Sequence, residues 1–387
     1  MKVLVLNNTR NYAGSNISFL TLASGLKSYG VEFVMAGPAI ENEYFQERLR
    51  ELNIEYVQLF SVNYVYPKIN SLSIKHFILS VLAYPYRLIR LIIGGLIVRN
   101  EIYKIIDRCH PDLIHSNSGV IHDGIICAKK RGIPHIIHLR EYQDLDFNYK
   151  IYPSKRAFIN LLKTTNVISI TQDISHHFKL DDYNKSRVIY NGINPGNATA
   201  FMWPKLKYFL CCSRIAKIKG HEDVIDAFAQ FCKTHDDYKL ILLGSGSAEY
   251  LRKLKQYAES LGCGDKIEWK GFCSNTVEYM KNATALIVAS YNEGFGRMTA
   301  EAIFAGCITI GRNTGGTKEI LENTGGLLFD DNSQIVKRME QVVSFDREIY
   351  SQYIYVSQDY AKKNYSIEAN VSKTYEFYRE VISEQSN

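Results

Sequence analysis

Short unbroken apolar runs alternate along the chain with longer stretches in which apolar residues recur every three or four positions. In the first half "KVLVLN", "VEFVMAG", "DLIHSN", "IPHIIHLRE" and "VISIT" have strand length, while "SNISFLTLASGLKSYG" has helical spacing. The second half repeats the rhythm, with "KYFLCCS", "YKLILLGSG", "IEWKGF", "ALIVAS" and "CITIG" as strands and "EDVIDAFAQFCK" and "AEYLRKLKQYAESLG" as helices. Strands spaced by helices predict parallel sheets with right-handed crossovers. At 387 residues the chain is also too long for one ordinary core, so two Rossmann-like α/β domains with a cleft between them are expected. The join is expected near "YNGINPGNATA" (190–200), where Gly, Pro and Asn cluster. A helical, Tyr-rich last segment is expected to cross back to the first domain. The expected division is 1–198, 199–360 and 361–387.

The chemistry concentrates at the ends of the second-half strands. In "SYNEGFGRMTAEAIFAG" (290–306), Glu293 lies in the loop after one strand and Glu301 inside the helix that follows. Ligands of open α/β sheets bind at that edge. Gly294 and Gly296 remove side chains where backbone N–H groups could meet a ligand, and a helix amino end favours an anion. Two carboxylates around such a turn suit a ligand with both hydroxyls and phosphate. Read alone, the segment leaves another reading open: a solvated Glu293, and a Glu301 paired with a lysine on the helix surface. After "KYFLCCS", Arg214 and Lys219 precede a helix opened by Gly220, a plausible clamp for a diphosphate. "LLGSGS" (242–247), with Gly244, and "NTGGTKEI" (313–320) add two more glycine turns facing the same edge.

Composition narrows the class. With 46% hydrophobic and 22% charged residues the chain reads as globular rather than disordered. Eight cysteines without a CxxC pair read as reduced, buried thiols, and no metal site is expected. "MKVLVLNN" reads as a first strand rather than a leader, which places the expected location inside the cell, in the cytoplasm. Residues 1–200 hold 23 Lys and Arg against 16 Asp and Glu, a net of +7, and the remainder 23 against 24, a net of −1. An anionic surface would therefore be met by the first half. Residues 71–100, "SLSIKHFILSVLAYPYRLIRLIIGGLIVRN", are apolar, but Pro85, Arg87 and Arg90 in the middle argue against a spanning helix. Two readings stay open: a helix lying on a bilayer surface at the cytoplasmic face, or one packed on the sheet with its arginines reaching to water.

Taken together, "SRIAKIKGHEDVIDAF", "LILLGSGS", "IEWKGF", "ALIVASYNEGFGRMTAEAIFAG", "GGTKEI" and "GGLLF" resemble the carboxyl-terminal domain of the family 4 glycosyltransferases of GT-B fold. "YAGSN", "PDLIHSN", "RGIPHIIHLREY" and "VIYNGI" resemble that family's acceptor domain, so the likeness spans nearly the whole chain. The resemblance implies a retaining transfer from a nucleotide-diphosphate sugar, a UDP- or GDP-sugar, without cofactor or metal. It implies that Glu301 takes the ribose hydroxyls, Glu293 the sugar hydroxyls, and Arg214 and Lys219 the diphosphate. The backbone of Gly294, Phe295 and Gly296 would hold sugar and phosphate, and Gly14 would approach the β-phosphate. The implied acceptor is a saccharide or a polyprenyl-linked saccharide in cell-surface polysaccharide biosynthesis.

The sequence departs from the family at two places. Many members carry a histidine where Arg140 stands here, followed by Glu141; both are kept as catalytic candidates, and Arg140 also as an acceptor contact. The family's paired amino-terminal glycines are Ala13 and Gly14. His115 is a further acceptor-side candidate, His138 reads as a core residue, and His176 and His177 as surface. "DLD" (144–146) reads as an acidic loop rather than a metal motif. Rival readings are a sugar-nucleotide epimerase of GT-B-like fold, and a non-catalytic sugar-nucleotide-binding subunit. The first turn has no GxGxxG, which disfavours a dinucleotide enzyme, and the basic excess lacks a nucleic-acid motif.

Overall fold

The computed structural model describes the chain except residues 11–13, 61, 68–83, 147–148, 195–201 and 387. It separates into two compact units, Met1–Gly192 joined by the residues from Asn370 onward, and Ile193–Ala369.

Among its described residues the first unit has nine strands: β1 (Lys2–Leu6), β2 (Glu32–Gly37), β3 (Glu55–Gln58), β4 (Val65–Pro67), β5 (Leu113–Ser116), β6 (His135–Leu139), β7 (Tyr149–Ile151), β8 (Asn166–Ser169) and β9 (Ser186–Val188). Seven of them form a sheet in the order β3-β2-β1-β5-β6-β8-β9, every pair parallel, and β4 and β7 make a small antiparallel pair. The apolar runs explain the central position of β1, β5 and β6. Val3, Leu4, Val5, Leu113, Ile114, Ile136 and Ile137 have no exposed surface, as strands covered on both faces require.

The second unit holds β10 (Leu206–Cys212), β11 (Lys239–Leu243), β12 (Ile267–Gly271), β13 (Ala283–Val288), β14 (Thr309–Arg312) and β15 (Leu327–Phe329). They form one parallel sheet in the order β12-β11-β10-β13-β14-β15. Val224, Ile225, Phe228 and Phe231, at helical spacing on His221–Phe231, pack against Phe209, Leu240 and Leu242. Each such fully buried side chain contributes about 1.5–3 kcal/mol relative to exposure. In each sheet the strand order reverses at one point, between β1 and β5 and between β10 and β13. The loops leaving the carboxyl ends of those strands are where an open α/β sheet presents a ligand site.

The last helix, Ile367–Ser386, belongs to the first unit from Asn370 on. Val371, Thr374, Tyr378 and Val381 are buried at intervals of one helical turn, and Asn370 Nδ2 donates to the Tyr190 carbonyl at 2.6 Å. Val371 lies so close to the helix Gly14–Leu26 that a Cβ on Gly25 would fall 2.3 Å from its Cγ2.

Of the segment 71–100, residues 71–83 lie outside the described part. The remainder enters the helix Tyr84–Cys109. Its inner face carries Val98, Ile102, Ile105, Ile106 and Cys109 into the first unit's core. Its opposite stripe, Tyr86, Ile89, Ile93, Leu96 and Ile97, is exposed, with Arg90 exposed among these apolar positions. Among the described residues no helix is long and apolar enough to cross a membrane.

Candidate nucleotide-sugar site

In the second unit the site is assembled by loops that touch backbone to backbone. After β10 the chain makes a short 3₁₀ turn, Lys217–Lys219, and Gly220 adopts φ +69° before the helix His221–Phe231. A Cβ at Gly220 would fall 2.2 Å from the Ala289 carbonyl at the end of β13, and Tyr291 N–H donates to the Ile218 carbonyl at 3.0 Å. The loop after β10 is thus stitched to the loop after β13. That contact brings Lys219 Nζ to 2.7 Å from Glu293 Oε2, with both side chains about one-fifth exposed. Gly316 N–H donates to the Glu293 carbonyl at 2.7 Å, and a Cβ there would meet the Phe295 carbonyl at 2.3 Å. The same closeness holds for Gly244, whose Cβ would fall 1.9 Å from the Ser213 carbonyl. Arg214 leaves β10 exposed to solvent.

Gly296, at φ +84°, opens the helix Arg297–Phe304. Thr299 and Thr317 beside it are fully buried, and their hydroxyls have no hydrogen-bond partner among the described residues. A turn later, Glu301 Oε1 accepts from Arg297 Nε at 2.7 Å. Burial pushes the Glu301 carboxyl above the usual carboxylate range, and Arg297 opposes that shift. The arrangement therefore sets two part-buried carboxylates, each with its own cation, on either side of a glycine turn.

Neither Arg297 nor a second support, Asp223, figured among the sequence candidates. Asp223 accepts from Arg312 Nη2 at 2.5 Å, Tyr291 Oη at 2.8 Å and Asn332 Nδ2 at 3.0 Å, while Arg312 Nε donates to the Ala289 carbonyl. This hub pins the very segment that Gly220 touches. The i, i+4 spacing of Arg297 to Glu301 was present in the sequence; the Asp223 hub joins residues too distant for any spacing to show.

The first unit places its candidates differently. Arg140, just past β6, is 8% exposed and donates from Nε to Asn117 Oδ1 and from Nη1 to Asn191 Oδ1, both at 2.9 Å. Its Nη2 lies 3.3 Å from His138 Nδ1, which is also 3.3 Å from His115 Nε2; His115 Nδ1 in turn meets the Tyr378 hydroxyl. Because a guanidinium can only donate, His138 Nδ1 is an acceptor there, and His115 donates to it from Nε2 while accepting the Tyr378 proton. Burial, reinforced by the Arg140 charge, holds both imidazoles well below their ordinary range, so both are neutral. Burial also lowers Arg140 to about 10. His115, expected on the acceptor side, is thus a fully enclosed link between β5 and the last helix.

Glu141 is half-buried, accepts from Ser118 Oγ at 2.5 Å, and is raised by burial against the pull of Ser118 and Arg140. Gly14 begins its helix with no described residue within 4 Å of an added Cβ, and Ala13 lies outside the described residues. His176 is exposed, but His177 is 14% exposed and joins Asp144 of "DLD" at 2.8 Å, with Lys155 completing the cluster. The surface expectation for His177 is thereby corrected: the loop after β6 folds over it. Among the described residues no group of three or more His, Cys, Asp or Glu could hold a metal ion.

Residues 12–197 match the sequence model described as Glycosyltransferase Family 4, and residues 202–358 that of Glycosyl transferases group 1. An uncharacterized glycosyltransferase of Methanocaldococcus jannaschii is 26% identical over 59% of this chain and 64% of its own length. The alpha-monoglucosyldiacylglycerol synthase of Streptococcus pneumoniae is 35% identical over 26% of this chain and 23% of its own. The chain thus spans less than two thirds of the length of these curated relatives. Among solved structures, Anabaena HepE in complex with UDP has a TM-score of 0.77 at 19% identity, covering 98% of this chain and all of that one. The apo form of the lipopolysaccharide outer core galactosyltransferase WaaB has a TM-score of 0.71 at 17% identity, covering 98% and 99%. With the two family models together spanning most of its length, the chain belongs to the family 4 type of glycosyltransferases, with the GT-B fold.

Proposed function

We propose that the protein is a retaining glycosyltransferase that moves a sugar from a nucleotide-diphosphate sugar, a UDP- or GDP-sugar, to a saccharide or polyprenyl-linked acceptor in cell-surface polysaccharide biosynthesis. The observation that carries this reading is the Lys219–Glu293 pair at the β10 and β13 ends, one turn away from Glu301. HepE has been solved with UDP, with UDP and glucose, and with UDP-glucose, which supports a nucleotide-sugar donor for a chain of the same fold.

In this reading the donor replaces the Lys219–Glu293 contact with two better ones. Glu293 accepts hydrogen bonds from sugar hydroxyls, and the released Lys219, with the exposed Arg214, meets the diphosphate. Glu301 accepts the ribose hydroxyls, and the backbone of Gly244, Gly294, Phe295 and Gly296 allows the nucleotide sugar to come close. Gly14 is kept as a further proposed phosphate contact. As the sugar–phosphate bond breaks, positive charge grows on the sugar and negative charge on the diphosphate. A preorganised cation at the leaving group lowers the barrier by about 3–4 kcal/mol. On the acceptor side Glu141 faces the incoming hydroxyl, and the enclosed Arg140 and His115 act through it by holding its loop. The membrane-facing part of the proposal rests on the exposed apolar stripe of Tyr84–Cys109 with Arg87 and Arg90: the helix lies in the cytoplasmic leaflet surface, where a lipid-linked acceptor is presented.

The test is a thermal-shift series with UDP, GDP, ADP, dTDP and CMP on wild type and Glu301→Ala. A nucleotide at a hundred times its Kd adds about 2.7 kcal/mol, a shift of a few degrees. One diphosphate should stabilise the wild type and the variant should lose most of that gain; no shift with any of the five would remove the donor reading. Ile93→Asp with Leu96→Asp should abolish binding to vesicles containing anionic lipid; unchanged binding would remove the membrane part alone.

A further inference from the structure

We propose that Arg297 is a positioning residue of the nucleotide site, holding the Glu301 carboxylate in one rotamer as an anion so that it can accept both hydroxyls of a ribose. The inference rests on Glu301 being the ribose reader.

The pair is placed against the helix that bears it. Anions are favoured at a helix amino end and cations at its carboxyl end. Here Arg297 is the first residue of Arg297–Phe304 and Glu301 lies toward its last turn, so each charge sits at the unfavourable end. An i, i+4 pair that served only the helix would run the other way, with the acid first. Among the described residues Arg297 also encloses its Nη1 without an acceptor, a further cost that helix formation does not repay. A disposition that local stability opposes is expected where function requires it.

The chemistry names the requirement. A vicinal diol presents two O–H donors, and only an ionised carboxylate offers acceptors for both while a third contact holds it in place. Arg297 Nε uses Oε1 at 2.7 Å, which fixes the rotamer and leaves the rest of the carboxylate for the ligand. Glu301 is 17% exposed and burial drives it toward protonation; a protonated carboxyl would turn one acceptor into a donor. The other titratable group packed against it, the Cys212 thiol of β10, is itself pushed up to about 12 by burial and by the Glu301 charge, with Cys273 beyond it. Neither supplies positive charge. Arg297 does, and its planar fork gives a direction that a lysine ammonium would not.

The experiment measures UDP and GDP affinity by calorimetry from pH 6 to pH 9 for wild type, Arg297→Met, Arg297→Lys and Glu301→Gln, with the thermal midpoint of each. Arg297→Met should bind the cognate diphosphate at least tenfold more weakly at the acid end of this range. The gap should narrow as pH rises, because burial without the cation favours the protonated carboxyl. Arg297→Lys should retain most of the affinity, and Glu301→Gln should be weak throughout. The midpoint of Arg297→Met should equal or exceed that of wild type, which separates positioning from a structural role. Wild-type affinity and pH profile in Arg297→Met, beside a weak Glu301→Gln, would overturn this inference and leave the ribose reading standing. Wild-type affinity in Glu301→Gln would overturn both.

Discussion

Both units carry charge toward the carboxyl ends of their strands and treat it in opposite ways. At the β10 and β13 ends, Lys219, Glu293, Arg297 and Glu301 are 17–33% exposed and each holds one partner that a ligand could replace. At the β5 and β6 ends, Arg140, His138 and His115 are enclosed, and their contacts run on into Tyr378 of the last helix. The first arrangement is built to exchange partners, the second to keep them. Spread along a rim, part-buried ions retain enough water to move; a cation desolvated as fully as Arg140 is held by its two asparagine acceptors and tolerates no change.

Acid should expose this difference most strongly. His122 and His135 are held at about 3 by burial, and His115 and His138 well below their ordinary range, all in the first unit; the second has His221, at about 4. A histidine with a depressed folded pKa keeps its full contribution above about pH 6.5 and loses stability as pH falls toward the folded value. Going from pH 7 to pH 5 should cost about 2 kcal/mol each for His122 and His135 against about 2 kcal/mol for His221, with His115 and His138 adding to the loss in the first unit. Hydrogen exchange at the two pH values should show β5, β6 and β8 losing protection before β10, β11 and β13. Equal loss in both units would break the comparison.

Arg140→Met comes next. Losing two hydrogen bonds from a charged donor and stranding Asn117 and Asn191 should lower stability by about 3–5 kcal/mol, read as a fall in the denaturant midpoint. Lys219→Ala should do the converse: stability within about 1 kcal/mol of wild type, but kcat down roughly a hundredfold or more, because the barrier rises by about 3 kcal/mol. A Lys219→Ala enzyme that unfolds, or an Arg140→Met enzyme as stable as wild type, would erase the distinction. The smallest effect is expected from Tyr378→Phe, about 1–2 kcal/mol, since it removes only the hydroxyl donated to His115.

Most of the fold could be read in the sequence because unbroken apolar runs and helical spacing are local signals. The carboxylates at Glu293 and Glu301 were equally visible, since the glycines and the helix that frame them lie in one short stretch. What they bind to in the chain was not. Lys219 and Glu293 are 74 residues apart and meet only because β10 lies beside β13, and His115 and Tyr378 meet across 263 residues. A strand-end histidine reads as available until a distant helix covers it. The other expected partner of Glu301, a surface lysine, gives way to an arginine on the same helix that was legible by spacing and was passed over.

The reach of Tyr378 and Val371 into the first unit also orders events during synthesis. Strands β1 to β9 leave the ribosome early, yet the side chains that close their core are made only after the whole of Ile193–Ala369. At about 5–20 residues per second that is a delay on the order of ten to forty seconds. Throughout it the second unit can complete itself while the first waits with His115 and the face around Gly25 uncovered. A chain stopped at residue 369 would therefore release a finished second half tethered to an unfinished first.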